Sequence, residues 1–384
     1  MNDDISLNVA TCTPTTGGSA GPFGYTLTNH RKISGWTDVT LTRALDRFPS
    51  TFQVGFTERY PGSADVIVQP GDWVQVLLGA DVVLTGFVDT FVPSYDGRQH
   101  MVRIAGSGKC QDLVDCSAFL PGGQILNQTV PNIAKTLCAP YGITVDIAPG
   151  TNVGDPIPQV VVLMGESVYS TLEILCRFKA LLLYENAYGG LTFAAGGDGS
   201  STTSTAIGTR VAASGLAEGI NVLAASVEYS MGQRFSRIDA AYAGLDICKD
   251  IGDGGNVITS VYDGTVPRFR YHAVLSENVI GGEEVAKRRA DWELAYRYGQ
   301  SFKVRVTTDS WRDSAGALYE PNILIDVDLP SLKLPKKRWL VTEVTYRLSE
   351  GGTQTDLLIQ PPESCYQQPT VLSPVPTDIT APAQ

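Results

Sequence analysis

Thr51-Phe52-Gln53-Val54-Gly55-Phe56-Thr57 is the stretch on which the fold turns. Phe52, Val54 and Phe56 alternate with Gln53 and Gly55, the two-residue period of a half-buried strand. The start of this stretch returns near the other end of the chain, where Ser301-Phe302-Lys303-Val304 matches Thr51-Phe52-Gln53-Val54. Downstream, Pro70, Val74 and Val76 match Pro321, Ile325 and Val327, and Leu84 and Val88 match Leu340 and Val344. Asp96-Gly97 matches Gly351-Gly352, and each turn leads into a last strand, Met101 to Ala105 or Asp356 to Ile359. The order strand, turn, strand, long strand, hairpin, strand is therefore used twice. Alternation and glycine turns are common to antiparallel β-domains. The shared order predicts more: two copies of one small β-barrel, the leading strands of the second at 221–244, and an insertion at 245–300. A duplicated barrel in a trimer gives six similar units in a ring, which lets a three-fold object meet a six-fold one.

Between and around the repeats the period changes. Val39 to Leu45, Asp72 to Leu78, Ala80 to Val92 and His100 to Ala105 read as further strands, and Tyr95-Asp96-Gly97 as a hairpin turn. The Thr-, Gly- and Pro-rich segment at 11–24 reads as a loop or arm. A short helix is expected over 110–117. A clear one begins near Thr129, because Val130, Ile133, Ala134, Leu137 and Cys138 share a helical face and Pro131 suits a first turn. Another follows Gly165, with Ser167 as N-cap and Val168, Leu172, Leu175 and Cys176 as its apolar stripe. Leu181 to Glu185 and Leu191 to Ala194 flank a hairpin turn, so 109–200 reads as a small α+β domain. Residues 196–216 read as a linker, 246–280 as irregular, and the Pro- and Thr-rich end from Gln367 as a flexible tail. A helix at 282–299 places Glu283, Glu284, Lys287, Arg288 and Arg289 on an exposed face, acids first and bases after, as the helix dipole favours.

The 384 residues exceed one ordinary core, and 43% hydrophobic with 18% charged is a globular composition. A net charge of -11 argues against a protein that grips nucleic acid through phosphates, while an acidic surface suits DNA that slides past. The seven cysteines are odd in number and contain no Cys-x-x-Cys pair, which reads as a reducing compartment without structural disulfides. Met1-Asn2-Asp3-Asp4 lacks the basic-then-apolar pattern of a secretory leader, and no apolar run reaches the length of a membrane span.

His30, His100 and His272 are far apart and none has zinc-ligand spacing. Gly106-Ser107-Gly108-Lys109 follows a strand, but a phosphate loop needs glycine where Arg103 stands and Ser or Thr where Cys110 stands. It reads as a turn into a helix. Asp112 and Asp115 share a helical face and read as capping or salt-bridging groups, not as an acid–base pair. Asp246, Asp250 and Asp253 with Gly254 form an acidic loop without calcium-loop spacing. Lys333, Lys336, Lys337 and Arg338 form a basic loop, read first as a solvated turn, next as a contact with another subunit or a partner, and last as a DNA contact. No catalytic residue, cofactor site or metal site is assigned.

Several motifs in order resemble the Mu-like phage tail protein P family. They are Leu84-Thr85-Gly86-Phe87-Val88-Asp89, Tyr95-Asp96-Gly97, His100 to Gly106, and Cys110-Gln111-Asp112-Leu113-Val114-Asp115-Cys116. Gly165-Glu166-Ser167-Val168 with Leu182 to Leu191, Gly316-Ala317-Leu318-Tyr319-Glu320-Pro321-Asn322, and Gly352-Thr353-Gln354-Thr355-Asp356-Leu357 with Pro361-Pro362 follow. The resemblance runs over roughly 70–360. It implies the baseplate hub of a contractile phage tail: a homotrimer of chains with two tube-like β-barrels and added α+β domains. Its pseudo-hexameric ring continues the tail tube and its other end holds the trimeric central spike. The arm at 11–24 and the stretch 246–265 match no part of that pattern.

The expected fold is mainly β with α+β: two similar tube-like antiparallel β-barrels plus smaller α+β domains. The expected division is 1–108 first barrel, 109–216 α+β domain with linker, 217–244 and 301–363 second barrel, 245–300 inserted domain, and 364–384 tail. The expected function is a non-enzymatic homotrimeric adapter between tail tube protein and central spike protein. It touches other baseplate proteins and passes DNA without specific binding. The expected location is the virion tail baseplate, assembled in the bacterial host cytoplasm. The alternatives are a tail-associated glycan or peptidoglycan hydrolase, which needs two carboxylates about 5–10 Å apart across a cleft, and a β-rich adhesin module.

Overall fold

The computed structural model describes residues 5–15, 24–57, 68–95, 100–196, 207–208, 210–243, 256–276, 282–334 and 337–368. The Asp96-Gly97 turn, the acidic loop at 246–254 with Cys248, Lys336, most of the linker at 196–216 and the tail from 369 lie outside them. The chain is mainly antiparallel β, with four α-helices among the described residues.

β1 (Ile5–Thr15) and β2 (Gly24–Ser34) pair as a hairpin. The segment at 11–24 is thus partly ladder and not all loop. Thr11 opposes Thr28 and Thr13 opposes Thr26, β-branched pairs that suit a pleated surface. β3 (Asp38–Ala44), β4 (Thr51–Thr57), β5 (Trp73–Leu78), β6 (Asp81–Tyr95) and β7 (His100–Gly108) follow, hydrogen-bonded in the order β3-β4-β7-β6-β5. Their alternate residues Val39, Leu41, Phe52, Val54, Val74, Val76 and Ile104 are buried in one large core.

The middle of the chain is α/β. α1 (Gln111–Asp115), β8 (Gln124–Gln128), α2 (Val130–Cys138), β9 (Val145–Ile147), β10 (Ile157–Val161), α3 (Val168–Lys179), β11 (Leu181–Glu185) and β12 (Leu191–Ala195) enclose a second core. Every residue of both expected helical stripes is buried, and Ser167 caps α3 by accepting a hydrogen bond from the Ser170 amide. Burial also raises the Cys138 thiol to about 12, so this cysteine serves as a small hydrophobe.

β13 (Arg210–Val211), β14 (Leu216–Ala217) and β15 (Val222–Tyr229) return to the main sheet. β16 (Arg237–Ala243) does not. It is the centre of a separate three-stranded sheet, between β17 (Asn256–Tyr262) and β18 (Tyr271–Ser276), with α4 (Gly282–Gln300) packed through Ala286 and Ala290 against Ala240. The expectation of leading strands throughout 221–244 therefore holds for β15 alone, and the stretch expected to be irregular at 246–280 contains two strands. The reason is visible in Tyr262, Tyr271 and Arg237. Their rings and guanidinium pair across the small sheet at 5.8 and 5.9 Å, cross-strand contacts that a count of glycines does not reveal.

β19 (Phe302–Thr308), β20 (Ile323–Asp328), β21 (Arg338–Ser349) and β22 (Gly352–Gln360) then build a second β-unit, in the order β15-β19-β22-β21-β20. Strand for strand this repeats β3-β4-β7-β6-β5. The equivalence reaches single hydrogen bonds. The Gly71 amide donates to Val88 O, and the Asn322 amide to Val341 O, both at left-handed residues that follow a proline. Each long strand carries a bulge just after that contact, between Val88 and Thr90 or between Val341 and Glu343.

That register corrects the sequence match. Pro70, Val74 and Val76 do correspond to Pro321, Ile325 and Val327, because Val74 opposes Gly86 as Ile325 opposes Trp339. Val88, however, corresponds to Val341 and not Val344. Phe52 opposes Gly106 as Val304 opposes Ile359, so Phe52 corresponds to Val304 and not Phe302. A two-residue slip keeps the same face, so alternation alone cannot detect it.

Asp313, in the connection between β19 and β20, ties β13 and β14 to this unit. Its carboxylate accepts from the amides of Ala213, Ala315 and Ala317 at 3.0–3.1 Å and from Arg210 at 3.2 Å. Burial alone raises such a carboxyl; the three amides and Arg210 outweigh it and hold the pKa below the usual range. Because the folded pKa is the lower, this group's stabilisation is present above pH ~4 and fades as pH falls through the folded pKa. Asp313→Asn is expected to cost about 1–3 kcal/mol at neutral pH and to flatten the acid limb of stability against pH. Urea unfolding at pH 3 to 7 reads both.

Candidate assembly interface

The two β-units meet edge to edge. β21 pairs antiparallel with β3, from Glu343 opposite Ala44 to Leu348 opposite Val39, which makes one 14-stranded sheet. Among the described residues its strands follow an open path and do not close into a barrel. On one face Val39, Leu41, Val344 and Tyr346 of the junction are buried. On the other, Thr42 and Thr345 share a hydroxyl contact of 3.0 Å and Arg47 pairs with Glu343 at 2.7 Å. The amide of Leu45 donates to Thr342 O, in the bulge, and continues the ladder past the strand end.

The uncovered face of this sheet is mostly polar around the junction, and the half-buried Trp73, Phe87 and Leu358 also lie on it. Thr40 and Gln53 are exposed, and Thr42, Ser107, Thr307 and Thr345 are half-buried. Some of its charges are partnered: Arg347 lies 2.6 Å from Asp356, which also accepts from Thr307, and Asp89 accepts from Ser107 at 2.7 Å, while Arg103 and Arg305 are exposed on it. A shallow depression lined by Arg47, Ser226, Arg305, Glu343, Arg347 and Asp356 lies on it across the second unit.

A buried acid joins the first β-unit to the α/β unit. Glu185, the last residue of β11, accepts from the amides of Ser50 at 2.9 Å and Cys110 at 3.0 Å. Burial raises its pKa, and the two amides and Arg43 pull it part of the way back. Gly108 exists for this contact: a Cβ there would lie 2.1 Å from the Glu185 carboxylate. Thr85 adds a hydrogen bond to Ala187 O at 3.0 Å. Glu185 is not among the candidate residues read from the sequence. Its signal is an acid ending the apolar run Leu181-Leu182-Leu183-Tyr184.

The residues considered for chemistry are dispersed. Lys109 donates to Gly142 O at 2.9 Å, and Gly106 sits where a Cβ would strike Phe87 O, so the Gly106–Lys109 turn is built by close packing. Asp112 is raised by burial first and by Asp115 second, and Asp115 accepts from Gln111 at 2.6 Å. His30 is exposed on β2, the His100 side chain lies outside the described residues, and His272 stacks on Phe235 and contacts Arg297 at 3.0 Å. Of the basic loop, Lys333 is exposed, Lys337 lies over the rings of Tyr298, Phe302 and Trp339, and Arg338 reaches Asp326 at 3.2 Å. Lys337 and Arg338 thus serve contacts within the chain. Among the described residues no three His, Cys, Asp or Glu side chains are grouped to hold a metal ion, and no helix is long and apolar enough to cross a membrane.

Comparison with known proteins gives this architecture a family. Residues 26–108 match the model of the Mu phage baseplate assembly protein GpP-like N-terminal domain, 110–195 that of the baseplate hub protein gp44-like second domain, and 282–368 that of the GpP fourth domain. The chain is 28% identical over 340 residues to baseplate hub protein gp44 of Escherichia phage Mu, covering 87% of this chain and 86% of that protein. The chain belongs to the Mu-like baseplate hub family. The hub fold extends over nearly the whole molecule. The prophage MuSo2 43 kDa tail protein from Shewanella oneidensis superposes with a TM-score of 0.76 at 26% identity, covering 96% of this chain and all of that one. A tail protein from Neisseria meningitidis MC58 shares the fold with a TM-score of 0.69 at 18% identity over 94% and 99% of the two chains. This hub is accordingly a phage tail baseplate component.

Proposed function

We propose that this hub assembles as a homotrimer whose six β-units form a ring, each unit a tube-like barrel sector, and that the ring joins the tail tube to the central spike. The observation that carries this reading is the repeat of one strand order, β15-β19-β22-β21-β20 and β3-β4-β7-β6-β5, joined through β21 and β3. Two equivalent units in sequence, each offering the same face, are what a three-fold ring needs in order to seat on six-fold symmetry. The polar face of the joined sheet suits the wall of a DNA conduit. Its hydroxyls, the ion-paired Arg47 and Arg347 and the net charge of -11 per chain keep counterion release to phosphate low, so duplex DNA passes without being gripped. The role is structural, with no catalytic step. Asp112 and Asp115 belong to a short helix beside the Glu185 contact and not to the two sides of a cleft. Assembly precedes incorporation into the virion and takes place in the host cytoplasm, where the free thiols stay reduced. Light scattering on the purified chain tests the reading through its mass.

A further inference from the structure

The two β-units are equivalent in strand order but not in how their outer edges are used. In the second unit the far half of the long strand, Glu343 to Leu348 on β21, pairs with β3. The corresponding half of β6 is Thr90 to Tyr95, and its edge away from β7 meets no strand among the described residues. In the first unit β3 has a partner on each side; its counterpart β15 pairs with β19 alone. The hub therefore has one junction made internally and, among the described residues, two halves of an identical junction that meet no strand, one on β6 of the first unit and one on β15 of the second. The side chains show the difference. Val344 and Tyr346 are 0% and 1% exposed at the made junction, whereas their counterparts on β6, Phe91 and Pro93, are half-buried and exposed, and Tyr229 on β15 is 54% exposed.

We infer that Thr90 to Tyr95 of one hub chain pairs antiparallel with Ala225 to Ser230 of a second copy, in the register of the β21–β3 junction. This inference rests on the ring reading above and names the strands that close the ring. The register follows from the internal equivalences. Thr90 and Glu343 each resume pairing after the bulge, and Leu41 opposes Phe52 as Val227 opposes Val304. Carrying Val344 opposite Arg43, Tyr346 opposite Leu41 and Arg347 opposite Thr40 across these equivalences sets Phe91 opposite Tyr229, Pro93 opposite Val227 and Ser94 opposite Ser226.

Two independent features agree with that register. Phe91, Val227 and Ala225 already pack partly against the main core, so the pairs at Phe91, Pro93 and Tyr95 extend the buried face. Thr90, Ser94, Ser226, Glu228 and Ser230 fall on the opposite face, which continues the polar wall; Val92 is the one apolar side chain among them. A one-residue slip would turn the apolar set to the polar side. Pro93 lacks an amide hydrogen, so it removes at most one bond from the new ladder and leaves the free edge a poor template for unrelated strands. The contact is head to tail, since different strands meet, and such contacts close into a ring when the rotation between copies closes.

The register is tested with Ser94→Cys and Ser226→Cys combined in the full chain. Directly opposed strand residues have Cα atoms ~4.5–5.5 Å apart, within disulfide range, while diagonal neighbours are roughly 7–8 Å apart and beyond it. Mild oxidation is expected to link chains of the double variant up to a covalent trimer that reducing agent returns to single chains. Ser94→Cys with Glu228→Cys, each single variant and the unmodified chain, whose free cysteines include the half-buried Cys12 and Cys116, are expected to stay unlinked. A hub that is trimeric by light scattering but links no better through position 226 than through position 228 overturns this register and leaves the ring reading standing. A hub that stays monomeric overturns both.

Discussion

Replacing Trp311 by alanine is expected to cost about 3–5 kcal/mol, the range for removing a fully buried large aromatic side chain. Trp311 is 1% exposed and lies in the core of the second β-unit. Its indole Nε1 donates to Arg347 O at 3.2 Å and Gln354 O at 3.0 Å, so it clamps β21 and β22 close to their connecting turn. Alanine empties the site and removes the donor from both carbonyls. Because Arg347 opposes Thr40 in the β21–β3 junction, the loss is felt at the joint between units as well as in the core. Urea unfolding followed by tryptophan fluorescence measures the cost, and hydrogen exchange is expected to rise along Val39 to Ala44 as well as in β21 and β22. Trp311→Phe keeps most of the volume and loses the donor, so an intermediate cost of about 1–3 kcal/mol is expected.

Glu185→Ala is expected to cost about 2–5 kcal/mol, because it leaves the amides of Ser50 and Cys110 buried without an acceptor at roughly 1–3 kcal/mol each. The effect has a direction in the structure. Those amides belong to the first β-unit and its exit turn, whereas Glu185 belongs to the α/β unit, so the variant loosens the tie between them. A two-step urea transition, with the 110–195 region uncoupled from the β-units, is the expected signature. Glu185→Gln keeps one acceptor oxygen and turns an amide group toward a second donor, so it is expected to recover only part of the loss. A single cooperative transition at unchanged midpoint in both variants would show that this carboxylate does not hold the units together.

Much of the fold was legible because apolar spacing reports one-sided burial. The stripes Val130 to Cys138 and Val168 to Cys176, the Ser167 cap and the strands around Phe52 and Val74 are all local statements, and local sequence carries them. The repeat was legible in its order and not in its register, since Phe52 opposite Gly106 is a long-range fact that a two-residue slip does not disturb. β16 was assigned to the wrong sheet for the same reason: its alternation is that of any strand, and its partners β17 and β18 decide where it belongs. Of the assembly features, the Gly106–Lys109 turn stands out in the sequence only by its partial likeness to a phosphate loop. Glu185, which explains Gly108, stayed hidden because its partners are main-chain amides. The β21–β3 junction joins residues from opposite ends of the chain and has no sequence signature beyond the duplication itself.

The mass of the hub in solution tests the ring most directly. Each chain is 41.2 kDa. Light scattering on the purified chain at micromolar concentration is expected to give three times that mass, held as the solution is diluted. A mass that stays at 41.2 kDa across the same range would contradict the account.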